Sequence, residues 1–300
     1  TAVFRAEGLP GRLAPEARAF AAAMEDKPET HERCFRKRSL AIFKEKGPCL
    51  IGATEAPGAP DFVLWGDSHA AALEPAVSAM ARLMGRKGVM FAGSSCLPVI
   101  GFNYALSSVD CRGKRRLARD YAKATGIDTV ILAARWAKYT SGKPSARLDL
   151  LLPAFDQTVA TLDPTARHIW LVRQVPYRLD FENLIAPQHL AAWVPWLDIP
   201  EAPPSIPLAD HRAWQAPADR ILDAVADRHG LGIIDPASAL CDAPSSPDPA
   251  CYLKQDGIVF YWDSNHLSAT GARHIAGIFR PVFADADRET HGERFRLPNR

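Results

Sequence analysis

Apolar residues in this chain gather into short runs, and from Asp61 onward these runs alternate with longer stretches of helical period. Phe62–Trp65, Gly88–Ala92, Thr129–Ala133, His168–Val172 and Gly232–Ile234 are short and largely apolar, as expected of strands whose sheet is covered by helices on both faces. Between them, His69–Met84, Gly113–Thr125, Ala146–Leu162 and His211–Arg228 read as helices, and Ser268–Phe283 closes the series with a last one. Strands alternating with helices predict a parallel, doubly wound α/β domain, in which ligands bind at the carboxyl ends of the strands. Residues 1–58 hold one helical candidate, Pro15–Met24, and otherwise no periodic core element. They read as an N-terminal extension packed on a domain at 59–286, with a polar tail at 287–300. The Tyr177–Asp210 connection is long for an α/β unit and holds His189, Trp193 and Trp196 among prolines. It reads either as a lid or as a surface loop that buries its own aromatics.

Composition narrows the function classes. The chain is 47% hydrophobic and 23% charged with a net charge of +2, an ordinary globular balance that gives no electrostatic case for a nucleic-acid partner. The densest basic cluster, Arg112-Gly113-Lys114-Arg115-Arg116, reads as a solvated helix start. No apolar run is long enough to span a bilayer. The chain opens on Thr1 without a signal segment, so it reads as an excised fragment or a mature product whose targeting information is missing.

Six cysteines fall as three local pairs, Cys34/Cys49, Cys96/Cys111 and Cys241/Cys251. None shows Cys-x-x-Cys spacing or a paired histidine, so a zinc site is not expected. Many pairings are open in principle, and the sequential one is the natural expectation. Disulfides persist in oxidising compartments, which points to the periplasm or the cell exterior; the alternative is six reduced, buried cysteines in a cytosolic enzyme.

The chemistry concentrates in two segments. Trp65-Gly66-Asp67-Ser68-His69 places a hydroxyl where a strand runs straight into an alanine-rich helix, and Asp263-Ser264-Asn265-His266-Leu267 supplies an Asp-x-x-His near the C-terminus. Alone, the first is most simply a helix cap and the second a surface turn. Together, in the order Ser…Asp…His, they supply a nucleophile, a base and an orienting carboxylate. Ser68 at the elbow is exposed, and its own backbone N–H lies at a helix N-terminus, where unpaired donors favour developing negative charge. His266 is the candidate base and Asp263 the group that orients it. His69, next to the nucleophile, is expected to face the helix rather than the pocket.

Gly66-Asp67-Ser68 and Asp263-x-x-His266-Leu267 resemble blocks I and V of the SGNH (GDSL-type) hydrolase superfamily, over Asp61 to about Phe283. The resemblance implies a flavodoxin-like three-layer α/β/α domain with a parallel sheet and a disulfide-stapled N-terminal extension. Gly93, in Phe91-Ala92-Gly93-Ser94-Ser95-Cys96, matches the block II glycine whose backbone N–H lines the oxyanion hole in that superfamily. Block III usually carries Gly-x-Asn-Asp, where this chain reads Ala133-Ala134-Arg135-Trp136. The resemblance therefore leaves the third oxyanion donor to Arg135 or to the Trp136 indole.

The Trp-Gly-Asp-Ser-His segment, Cys96-Leu97-Pro98-Val99, the Ala-Arg-Trp and the N-terminal cysteine pair are similar to one subgroup, the periplasmic SGNH domain fused behind a membrane acyltransferase-3 domain in bacterial polysaccharide O-acetyltransferases. Gly11-Arg12-Leu13 suits the linking extension. This resemblance implies acetyl transfer through a Ser68 acyl-enzyme to a hydroxyl of a surface polysaccharide such as lipopolysaccharide O-antigen. It implies no cofactor bound by this domain, an acetyl group derived from acetyl-CoA through the upstream membrane domain, and a periplasmic place in an inner-membrane protein. A secreted esterase acting on carbohydrate or lipid, and a non-catalytic glycan-binding module, are the rival readings. Trp65, Trp136, Trp193, Trp196, Trp214 and Trp262 are candidates for stacking on a sugar ring, several of them necessarily core.

Overall fold

The short apolar runs form strands because only a sheet flanked on both sides can bury every position of such a run. The computed structural model describes residues 15–36, 40–102, 110–140, 145–162, 166, 168–176 and 205–284. In chain order the strands that matter are β1 (Cys49–Gly52), β2 (Phe62–Gly66), β3 (Lys87–Ala92), β4 (Thr129–Ala133), β5 (His168–Val172), β6 (Ser205–Pro207) and β7 (Gly232–Ile234). Six of them make the central sheet in the order β1-β3-β2-β4-β5-β7. β2 pairs in parallel with β3 and β4, and β4–β5 and β5–β7 are parallel too. Every residue of β2 and of β4 is buried.

Alternation along β2 splits the core into two layers. Phe62 and Leu64 join Met90, Ile131 and Val172 beneath the Ser68–Leu83 helix and the C-terminal segment. Val63 and Trp65 join Val89, Phe91, Leu132 and Leu171 on the other face, under the helices Cys111–Thr125, Ser145–Leu162 and Leu208–His229. The order reverses at β2, whose neighbours β3 and β4 lie on opposite sides of it. That reversal opens a crevice at the β2 carboxyl end, where Ser68 begins its helix.

The structure departs from the sequence pattern most clearly at the sheet edge and in the last helix. β1 is a strand within the supposed extension; it runs antiparallel to β3 at the sheet edge, with Cys49 opposite Met90 and Ile51 opposite Gly88. Three residues between Gly47-Pro48 and the Gly52 turn are too few to carry a period, so pairing with β3 supplies what local preference does not. The last helix is interrupted: Ala269–His274 gives way to a 3-10 turn, Ala276–Phe279, before helix resumes at 280–284. Glycines at 271 and 277 weaken continuous helix. The break lets Ile275, Phe279, Val282 and Phe283 all reach one core.

The three disulfides are Cys34–Cys49, Cys96–Cys111 and Cys241–Cys251, the sequential pairing. Cys34–Cys49 ties the helical turn at His31–Arg36 to β1 and hence to the sheet edge. The Tyr177–Asp210 connection lies outside the described residues as far as residue 204, with His189, Trp193 and Trp196, and so do residues 1–14 and the tail beyond residue 284. None of the described helices is long and apolar enough to cross a membrane.

The tightest point of this architecture is Gly66. A Cβ there would collide with the Ala133 carbonyl oxygen and stand 2.7 Å from the Ala70 Cβ. Gly66→Ala is therefore expected to cost about 3 kcal/mol or more, because both obstacles are themselves fixed in the core. A thermal melt followed by circular dichroism checks this, and an unchanged midpoint would contradict it.

Candidate active site

The elbow is built on a buried carboxylate. Asp67 has extended backbone and caps the Ser68–Leu83 helix, its Oδ1 accepting the His69 N–H at 2.8 Å. Its Oδ2 accepts the Arg135 backbone N–H at 3.0 Å and the Tyr139 hydroxyl at 2.9 Å. One side chain thus ties the end of β2 to the loop after β4. Burial pushes the Asp67 carboxyl above its ordinary value, against the pull of the His69, Arg135 and Tyr139 donors. With Asp67 turned inward as the cap, Ser68 is left partly exposed at the crevice.

The second half comes from the loop that the Tyr261–Leu267 bridge closes, with the Trp262 N–H donating to the His266 carbonyl at 3.1 Å. Asp263 Oδ1 accepts the backbone N–H groups of Asn265 at 2.9 Å and His266 at 2.8 Å. Its Oδ2 stands 2.7 Å from His266 Nδ1, and His266 Nε2 stands 2.8 Å from Ser68 Oγ. Burial raises the Asp263 carboxyl, but the His266 bond and charge and the two backbone donors outweigh it and bring it down to about 2. An ionised Asp263 holds the proton on Nδ1 and leaves the Nε2 lone pair facing the Ser68 hydroxyl. Chemically, this is an arrangement able to take a proton from Ser68 as its oxygen attacks.

The structure brings Ser68, Asp263 and His266 together and corrects other expectations. His69 does not merely face its own helix: its ring lies 4.9 Å from that of His266, and its Nε2 is 2.9 Å from Asn265 Oδ1. The Trp136 indole is buried and donates to the Val172 carbonyl at 2.7 Å, which removes it as an oxyanion donor. The Gly93 N–H donates to the Gly66 carbonyl at 3.2 Å, so it turns back to the strand ends instead of presenting an open donor. A Cβ at Gly93 would come within 2.9 Å of both Cys96 Sγ and Lys114 Cδ, so close packing explains the glycine. The Arg135 backbone N–H is committed to Asp67. Trp65 and Trp136 are core.

Sequence reasoning missed several residues. Lys138 Nζ donates to Ser95 Oγ at 2.7 Å, and Lys114 Nζ to the Ala92 carbonyl at 3.0 Å, putting two cations beside the loop after β3. From the extension, Asp26 accepts the Ala269 N–H at 2.7 Å and the Thr270 N–H at 2.8 Å. Lys27 Nζ stands 4.8 Å above the Trp262 ring, while the His31 ring lies 5.0 Å from it, edge-on. Nothing in the spacing of residues 26–31 signals that they brace the Asp-x-x-His loop. Among the described residues there is no group of three or more His, Cys, Asp or Glu side chains suited to a metal ion.

Residues 33–281 match the SGNH domain family, described as fused to AT3 domains. The chain belongs to this family. None of the curated proteins matches the sequence significantly. Among solved structures, this SGNH domain is similar to the lipopolysaccharide acetyltransferase periplasmic domain of Salmonella ser. Paratyphi A, with 14% identity, 90% of this chain and 97% of that chain covered, and a TM-score of 0.58. It is also similar to a GDSL-like lipase of Bacteroides thetaiotaomicron VPI-5482, at 11% identity, 75% and 88% coverage and a TM-score of 0.44. The first likeness supports the three-layer α/β/α fold with its mostly parallel sheet.

The depressed Asp263 carboxyl makes stability depend on acid in a defined direction. Its folded value of about 2 lies below the unfolded 3.8, so its contribution is present above that unfolded value and is lost as pH falls through the folded one. Urea midpoints of wild type and Asp263→Asn should therefore differ most at neutral pH and converge as pH falls toward 2. A difference that stays constant over that window would contradict the Asp263–His266 geometry.

Proposed function

We propose that this SGNH domain is an O-acetyltransferase that passes an acetyl group through Ser68 to a hydroxyl of a surface polysaccharide. The observation that carries the reading is the continuous chain from Ser68 Oγ through His266 to Asp263, at 2.8 and 2.7 Å, in a family described as fused to AT3 domains. The acceptor class is taken from the neighbour's named substrate, lipopolysaccharide, with O-antigen as the part that carries free hydroxyls outward. An upstream membrane acyltransferase-3 domain would deliver the acetyl group, drawn ultimately from acetyl-CoA, to this domain in the periplasm. Three disulfides suit that oxidising compartment.

Ser68 Oγ attacks the acetyl carbonyl carbon of the donor while His266 Nε2 takes the hydroxyl proton. The negative charge moves to the carbonyl oxygen, where the Ser68 backbone N–H at the helix N-terminus and the Arg135 guanidinium stabilise it. The donor's leaving group departs with the proton from His266, leaving acetyl-Ser68. The acceptor hydroxyl then gives its proton to His266 Nε2 as its oxygen attacks the acetyl carbon. Collapse releases the sugar ester and returns the proton to Ser68 Oγ. Water can stand in for the sugar hydroxyl, so weak esterase activity accompanies transfer.

Two experiments test this. A fluorophosphonate probe should modify Ser68 in wild type, with labelling lost in His266→Ala. With acetyl donor present, added glycan acceptor should divert acetyl from water, and Ser68→Ala should lower both routes by about 1,000-fold or more. Release of acetate that no acceptor can divert would instead identify a carbohydrate or lipid esterase.

A further inference from the structure

Ser68 and His266 are 198 residues apart, so their 2.8 Å contact depends on whatever holds the elbow against the Asp-x-x-His loop. Among the described residues, the Ser68–His266 contact has one companion as a side-chain hydrogen bond between residues 67–69 and residues 262–266: His69 Nε2 to Asn265 Oδ1, at 2.9 Å. Both partners are buried, at 3% and 6% exposure. His69 is anchored on the elbow through its backbone N–H to Asp67. Asn265 is anchored in the loop at both ends, its N–H on Asp263 Oδ1 and its Nδ2 donating to Ser264 Oγ at 2.8 Å. With Asn265 Oδ1 facing His69, the bond is made by the tautomer that carries its proton on Nε2, while Ser264 Oγ accepts the Nδ2 donor.

We infer that His69 and Asn265 form a positioning strut that sets the separation of Ser68 from His266; this rests on the reading of Ser68 as the nucleophile. Neither residue belongs to the Ser68–His266–Asp263 chain or reaches the reacting atoms. The strut works through geometry, since an error of about 1 Å between nucleophile and base can cost on the order of 100-fold in rate. Charge matters as well. The groups facing His69 are His266, Arg135 and Asp263, and burial, His266 and Arg135 together hold its imidazole well below the ordinary value. A neutral His69 donates through Nε2 without placing a second cation beside His266 as that ring takes the Ser68 proton.

The test compares His69→Leu, Asn265→Leu, the double variant and His69→Gln, whose amide N–H reaches where His69 Nε2 does. The readouts are the rate of Ser68 modification by the fluorophosphonate probe, kcat and KM for 4-nitrophenyl acetate hydrolysis, and the melting temperature. Each Leu variant should lower kcat and the modification rate by about 10- to 100-fold with KM little changed. The double variant should be no worse than the poorer single, and His69→Gln should recover most of the loss. Losses that multiply in the double variant, or a Gln variant as poor as Leu, would overturn the strut.

Imidazole NMR of the wild-type domain supplies a readout independent of activity and of any variant's folding. His69 should be protonated on Nε2 in its neutral form. A His69 protonated on Nδ1 would overturn the inference. Absence of Ser68 labelling in wild type would instead count against the proposed function, with the tautomer still deciding the strut.

Discussion

The site depends on one buried carboxyl group that lies outside the Ser68–His266–Asp263 chain. Asp67 accepts three donors, from the helix it caps, from the loop after β4 and from Tyr139. Placing a carboxyl where water cannot reach is unfavourable unless its lone pairs are satisfied, and here neutral donors satisfy them. Those bonds fix where β2 stops and the direction in which the helix leaves. The middle residue of Gly66-Asp67-Ser68 is therefore the mortar of the elbow, its first residue the clearance, and its last the only one turned to the crevice.

The Asp-x-x-His loop is held in a comparable way from the opposite side. Asp263 serves two masters: one oxygen organises its own turn through two backbone N–H groups, the other meets His266. The N-terminal segment contributes Lys27 and His31 to the surround of Trp262, and Asp26 accepts from the first two N–H groups of the helix that follows the loop. Cys34–Cys49 ties that segment to the sheet edge. Residues ahead of β1 thus pack against Trp262 in the Asp-x-x-His loop.

Much of this was legible from residues alone. Apart from Thr129, Phe62–Gly66 and Thr129–Ala133 are apolar, the pattern expected of short strands covered on both faces, and their positions follow with errors of a residue at most. The serine elbow and the Asp-x-x-His were legible because their chemistry is local: a cap, a turn and a short spacing. β1 escaped because its four residues owe their form to β3. The interruption after His274 escaped because it is set by where Phe279 and Phe283 must sit, not by the helical period that the segment also satisfies.

What the sequence by itself determined is the fold class, the sequential cysteine pairing and the identity of the three residues that meet in the crevice. All three rest on short-range regularities: apolar run length, local loop closure and motif spacing. Only the tertiary structure decided which donors remain open to an oxyanion, since Gly93 and Trp136 spend their N–H groups on carbonyls that belong to other strands. It alone also joined His69 to Asn265 across most of the chain. Hydrogen-bond partners distant in sequence are chosen by packing, and no local pattern encodes them.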